Sequence, residues 1–257
     1  MRRRIAIPVL IALLAIGWTA TSRAETRIIE GLRVTFGANF TPNVLPRDRP
    51  APVNIEIHGG IATTDGSHPP PLRWLEVALN RNGRLSTRGL PTCGAPLLQS
   101  TSTKTALERC RPALVGQGKF RAQVMLGREI PAAGRILAFN SRQGGRPSLQ
   151  LHLFASSPVR FTLVAPLKIG RRDEGQFSTL LRARIPRLAG DLGSVTEIDL
   201  TIGRRYSFAG KRRSYISAAC ATPPGVNTAV FPFARGTFRF EAHQEFRETL
   251  LRSCRVR

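Results

Sequence analysis

Acidic residues are scarce in this 257-residue chain: 16 Asp and Glu stand against 39 Lys and Arg, a formal net charge of +23. Lysine is scarce as well, with four residues against 35 arginines. An arginine skew of this kind also arises from GC-rich coding, so the charge has a compositional origin that competes with any ligand. No CxxC pair occurs and no His stands at ligand spacing from a Cys, which argues against a zinc site. No Gly-rich loop opens a helix, which argues against binding of nucleotide phosphates. No serine nucleophile elbow accompanies the four histidines. After residue 20 no long apolar run recurs, so no transmembrane anchor is expected in the mature chain. The cations are spread through both halves without a basic tail, so no specific nucleic-acid partner is expected.

What is present first is an export signal. Arg2, Arg3 and Arg4 precede the apolar run Ile5 to Ala20, and Ser22-Arg23-Ala24 offers small residues at a cleavage site. Residues 1–24 therefore read as a signal peptide, and the mature chain from Glu25 is expected to be secreted or extracytoplasmic. Without the four arginines of that segment, 35 basic and 16 acidic residues remain, a net charge of +19. Four cysteines in an exported chain imply disulfides. Three pairings are possible; Cys93–Cys110 and Cys220–Cys254 close the shortest loops and are the expected ones.

Strict apolar/polar alternation recurs along the chain: Leu32, Val34, Phe36, Ala38 and Phe40; Val53, Ile55 and Ile57; Phe120, Ala122 and Val124; Leu149, Leu151 and Leu153; Ile198, Leu200 and Ile202. Period two sustained over nine segments, punctuated by Gly and Pro clusters, predicts half-buried antiparallel strands. The expected fold is all-β, an antiparallel β-sandwich of jelly-roll-like or immunoglobulin-like form. One short helix interrupts it over Ser102 to Arg109, where Thr105 and Glu108 have capping-box spacing. Residues 25–257 are expected to form a single large sandwich. The alternative is two stacked sandwiches, 25–143 and 144–257, joined at "SRQGGRP", a segment that also reads as a hairpin loop.

The most cationic stretch is "GRRYSFAGKRRSYISAAC", Gly203 to Cys220. It reads as a hairpin with strands Arg204 to Phe208 and Arg213 to Ala218, joined through Ala209 to Arg212. Arg204, Arg205, Lys211, Arg212 and Arg213 are the candidate binding residues, with Lys211 to Arg213 crowning the turn. The implied partner is anionic: an envelope polymer, an acidic glycan or a lipid headgroup. The oligomeric state is not legible in the sequence.

Catalytic candidates are fewer. Glu197-Ile198-Asp199 resembles the start of the ExDxxE motif of laminarinase-like glycosidases, which are β-jelly-roll enzymes. That resemblance implies a nucleophilic Glu197 beside Asp199, but Thr201 and Ile202 stand where the acid/base should be. Retaining hydrolysis needs that proton donor about 5–5.5 Å from the nucleophile. A carbohydrate-active enzyme using Glu197 and Asp199 is therefore the alternative function. His58, Asp65 and His68 lack a third ligand at diagnostic spacing and read as solvated; His152 and His243 fall on polar positions. No metal and no cofactor is expected. The stretches "APVNIEIHGGIATTDGSHPPPLRWLEVALNRNGRLSTRGLPTC", "TALERCRPALVGQGKF" and "VFPFARGTFRF" resemble a family of uncharacterised secreted actinobacterial β-rich proteins. The resemblance implies an exported β-rich protein and carries over no site residue. The expected function is a secreted, non-catalytic binding or structural protein of the cell envelope.

Overall fold

The computed structural model describes residues 24–241 and 244–257; all but the last residue of the expected signal peptide, and His243, lie outside them. The strands are β1 (Glu25–Ile29), β2 (Leu32–Thr41), β3 (Val44–Leu45), β4 (Ala51–Pro52), β5 (Asn54–Thr63) and β6 (Leu72–Asn80). They continue with β7 (Gly83–Leu85), β8 (Leu114–Leu126), β9 (Arg128–Gln143), β10 (Arg146–Ala155), β11 (Phe161–Glu174) and β12 (Phe177–Arg184). The last six are β13 (Gly193–Ile202), β14 (Arg205–Phe208), β15 (Lys211–Ser214), β16 (Ile216–Ala218), β17 (Thr228–Phe240) and β18 (Glu245–Val256). The chain is mostly β, as the alternation predicts.

These strands do not divide into the two facing sheets of the expected sandwich. Thirteen of them form one sheet, in the order β1-β2-β5-β13-β8-β9-β10-β11-β12-β6-β17-β18-β3. The sheet curls into a half-barrel whose two ends approach each other. Arg252 of β18 donates from Nε to the Ala38 carbonyl of β2 (2.6 Å), and Arg27 of β1 pairs with Glu248 of β18. Phe36 meets Phe238 edge-on at 5.1 Å, and Phe40 stacks on Phe233 at 5.3 Å. A small sheet, β4-β16-β7, lies against the same core through Ile216 and Leu85.

Glycines on the concave side allow the curl. Gly116 and Gly118 of β8 and Gly134 of β9 sit so close to neighbouring strands that a Cβ at any of them would overlap backbone atoms. Alternation tells which face is buried; it does not show where the sheet bends. The segment "SRQGGRP" is the β9–β10 hairpin, with Gln143 opposite Arg146 and Gly144 and Gly145 at φ 55° and 74°.

Both disulfides form as expected: Cys93–Cys110 and Cys220–Cys254. The first pins a helical excursion, α1 (Ala95–Leu98) and α2 (Thr103–Cys110), against the outer face of β9 and β10. The cap of α2 lies three residues before the expected one. Ser102 Oγ accepts from Thr105 N at 3.1 Å, so Ser102 is the N-cap and Thr105 lies inside the helix.

This lid changes the reading of His152. Rather than standing on a solvated face, its side chain is fully buried beneath Thr101. Nε2 lies 3.1 Å from both Thr101 Oγ1 and the Thr101 carbonyl, while Thr101 Oγ1 itself donates to Leu98 O (2.7 Å). The Nε2 nitrogen therefore carries the proton and Nδ1 is bare. Burial pushes the imidazole pKa down, outweighing the Thr101 carbonyl that raises it. In the unfolded chain His152 protonates near its ordinary pKa of about 6.5, before the folded form does. The neutral folded form thus contributes stability above that pH and loses it as the pH falls, at up to about 1.4 kcal/mol per unit. The urea midpoint is expected to drop between pH 7.5 and pH 5, and His152→Gln to show a flatter profile. Parallel pH profiles for the two proteins would contradict this account.

Candidate anion-binding groove

The basic hairpin is built by a two-residue turn. Ala209 and Gly210 both have positive φ (52° and 70°), the backbone of a type I′ turn. Phe208 consequently faces Lys211 across the ladder, Ser207 faces Arg212 and Tyr206 faces Arg213. The turn is two residues shorter than the expected Ala209 to Arg212 loop, so Lys211 to Arg213 run along β15 instead of crowning it. Ile216 to Ala218 forms β16 of the small sheet.

One face of the hairpin is anchored by its aromatics. The Tyr206 hydroxyl donates to the Arg88 carbonyl (2.8 Å), and the Phe208 ring lies directly over Gly89. Gly89 serves twice, with φ at +82° and no Cβ to lift the ring. The Arg213 guanidinium sits 5.7 Å from the centre of the Phe208 ring. The aromatics therefore pack, and the opposite face turns Arg205 and Arg212 outward, both exposed.

Between this hairpin, the segment after β6 and the β11–β12 pair runs an open groove of about 1360 Å3. Seven arginines line it: Arg81, Arg84, Arg88, Arg171, Arg205, Arg212 and Arg213. Among the described residues no carboxylate lines it. Arg81 pairs with Asp173 at 2.7 Å. Arg171 also borders a second, smaller hollow with Arg146, Lys168 and Arg182, so the cationic surface extends along β10 to β12. Arg81 apart, and with Arg182 of the smaller hollow paired to Glu76 at 2.9 Å, cations outnumber acids here and repel one another, and an anion laid among them relieves that repulsion. Their planar donor forks suit phosphate and carboxylate groups.

Three of the five expected binding residues, Arg205, Arg212 and Arg213, line this groove. The other two do not. Arg204 turns toward the chain, its Nη1 donating to the carbonyls of Pro112 (2.7 Å) and Leu114 (2.8 Å), where it satisfies the end of a helical turn. Lys211 is exposed at the hairpin end and lies outside the groove lining. Arg81, Arg84, Arg88 and Arg171 were not singled out from the sequence. The one available signal was "RNGRLSTR", Arg81 to Arg88, with three arginines and no acid.

The carboxylates Glu197 and Asp199 lie elsewhere, on β13. The register sets Asp199 opposite His58 of β5 and Lys119 of β8, and Glu197 opposite Arg121 of β8. His58 Nδ1 is 2.6 Å from Asp199 Oδ1, Lys119 Nζ is 3.5 Å from Oδ2, and Arg121 reaches Glu197 at 3.3 Å. Burial alone would raise the Asp199 pKa; the hydrogen bond and charge of His58, joined by Lys119, bring it below the ordinary carboxylate value. Asp199 is thus held ionised and does not serve as a proton donor. Glu56 of β5, opposite Thr201, borders a surface hollow together with His58, Lys119 and Asp199. His58, Glu197 and Asp199 bring donor atoms within 4.8 Å of one another, a set that suits a divalent cation, though Lys119 and Arg121 already balance its acids. His68, expected to be solvated, is partly buried between Glu129 (3.4 Å) and Ser194 Oγ (3.3 Å). Asp65 accepts from Ser67 N and Oγ at 3.0 and 2.7 Å, the hydrogen bonding of a tight turn.

No protein-family model, curated protein or solved structure matches this chain. Among the described residues no helix is long and apolar enough to cross a membrane.

Proposed function

We propose that this chain is an exported, non-catalytic protein that holds an anionic polymer of the cell envelope or its surroundings in the arginine groove. The observation that carries the reading is that, among the described residues, seven arginines and no carboxylate line one open groove. Two disulfides accord with an extracytoplasmic location. The groove is open to solvent, and its arginines come from three separate stretches of the chain, so a ligand with several anionic groups can engage them together. The cross-strand partners of Glu197 and Asp199 favour a charge-paired strand face over a glycosidase centre.

The test is binding of linear polyphosphate, a polyuronate and phosphatidylglycerol vesicles at low salt. At about 50 mM salt the double variant Arg205→Glu/Arg212→Glu is expected to weaken binding to the preferred anion by at least about tenfold, and to flatten the dependence of log K on log salt by roughly 1–2. Arg33→Glu/Arg128→Glu, two exposed arginines outside the groove with the same change in net charge, is expected to have a much smaller effect. Equal losses in the two double variants would reduce the interaction to net charge alone. Absence of low-salt binding to all three probes would remove the anionic partner.

A further inference from the structure

The concave side of the half-barrel is not completely filled. A cavity of about 180 Å3 lies within it, with an almost wholly apolar lining. Protein interiors ordinarily close such space, since every void forfeits dispersion contacts. An apolar cavity of about 150 Å3 is already large enough to take up benzene.

The strands set its shape. On β5 each inward position from Ile55 through Ile57 and Gly59 to Ile61 borders it, and on β13 the border runs from Val195 to Ile202. Ile55 to Ile61 spans about 20 Å at the usual strand rise. A volume of this size drawn out over that length is a narrow channel, not a round chamber.

The two ends of the channel differ. At one end Ile55, Ile202 and Phe233 are buried, and the small sheet stands across it through Ile216, whose carbonyl accepts from Val53 N at 3.2 Å. At the other, Ile61, Leu72 and Val195 are only half-buried. These three share an end because β6 returns from β5 through residues 64–71 and because Glu197 of β13 faces Gly60. Water therefore reaches apolar wall beside Ile61, and the channel is closed at Ile216.

Gly59 stands midway along it. A Cβ added there would meet no atom within 4 Å, and Gly59 is not among the glycines of positive φ. Neither conformation nor crowding demands glycine at this inward position, so the missing side chain simply leaves the channel open. Glu197, the charged residue of the lining, is engaged by Arg121, and the Tyr215 hydroxyl is buried away from the cavity. What the walls offer a ligand is apolar contact along a line.

We propose that this channel takes up the unbranched alkyl chain of one amphiphile, its tail toward Ile216 and its polar head in water beside Ile61 and Leu72. The proposal does not rest on the arginine groove, and neutral probes keep the two apart.

The experiment is calorimetric titration of the intact protein with n-decanol and with adamantanol, which have the same number of carbons and the same hydroxyl head. One is a chain and the other a compact cage. n-Decanol is expected to bind saturably with one molecule per chain, and its affinity to fall roughly fourfold for each methylene removed in shorter n-alcohols. Adamantanol is expected to bind at least about tenfold more weakly, because a cage enters a narrow channel only by forcing its walls apart. Gly59→Phe, which fills the middle of the channel, is expected to abolish n-decanol binding while near-UV circular dichroism stays native. Ile61→Trp is expected to do the same from the open end, so either folded variant decides the location. Failure of n-decanol to saturate the wild-type protein overturns the site. Equal affinity for adamantanol overturns the channel shape, and unchanged n-decanol binding in a folded Gly59→Phe or Ile61→Trp overturns the location.

Discussion

Gly118→Ala is expected to leave little folded protein, while the same change at Gly170 is expected to be harmless or slightly stabilising. A Cβ at Gly118 would overlap the Asp199 carbonyl oxygen and stand 2.9 Å from Asp199 C and Leu200 Cα. All three are backbone atoms of β13, the hydrogen-bonded neighbour of β8. A flexible side chain could rotate away; a strand held in a ladder must move as a unit. Opening the β8–β13 pair disturbs the register that carries Leu200 and Ile202 into the core, so the cost exceeds the 1–3 kcal/mol usual for an overpacked site. At Gly170 of β11 the nearest atom to an added Cβ is the Leu180 carbonyl oxygen at 3.9 Å, an ordinary contact. There the substitution removes backbone freedom from the unfolded chain and is worth roughly 0.4–1 kcal/mol of stability. Soluble yield and urea midpoints of the two variants check the pair of expectations. Similar midpoints for Gly118→Ala and the parent would mean that β8 and β13 do not approach so closely and that the curl has another origin.

The contrast between these two glycines marks what could be read from the chain. Leu32 to Phe40 and Ile198 to Ile202 announce their buried faces because alternation is a local property, and the structure buries those faces. The cysteine pairs follow from short loops and an even count. The half-barrel was hidden, because Gly116, Gly118 and Gly134 look like ordinary interruptions until their neighbours across the sheet are known. His152 was misread for a related reason. Its strand alternates as a half-exposed one does, but the helical excursion pinned by Cys93–Cys110 covers the second face. The hairpin turn is tighter than expected because alanine at positive φ is not a turn signal, although Ala209 adopts that conformation beside Gly210. The groove and the His58–Asp199 contact depend on residues far apart in sequence, 141 positions in the latter case. No periodicity encodes such meetings.

Removing the Cys220–Cys254 bridge is expected to cost more stability than removing Cys93–Cys110, and to weaken the groove as well. The two bridges span 34 and 17 positions. Chain-entropy arguments give about 4 kcal/mol for the longer loop and about 3 kcal/mol for the shorter. For a chain of this size the larger figure lowers Tm by roughly 10 °C. Position separates the two further. Cys93–Cys110 holds the lid over His152, so Cys93→Ala/Cys110→Ala should also reduce the pH dependence of stability as that imidazole gains access to water. Cys220 follows β16 closely, and its backbone N–H donates to the Pro46 carbonyl at 3.0 Å; Cys254 lies in β18 beside the closing edge of the sheet. That bridge therefore ties the end of the hairpin segment, and with it Arg205, Arg212 and Arg213, to the large sheet. Cys220→Ala/Cys254→Ala is expected to remain folded at low temperature, to unfold at lower urea, and to bind the anionic polymer more weakly because one wall of the groove is no longer held. Weaker stability with unchanged polymer affinity would show that Tyr206 and Phe208 alone fix the hairpin. A loss below about 1 kcal/mol would show that the bridge restricts the unfolded chain far less than its loop length requires.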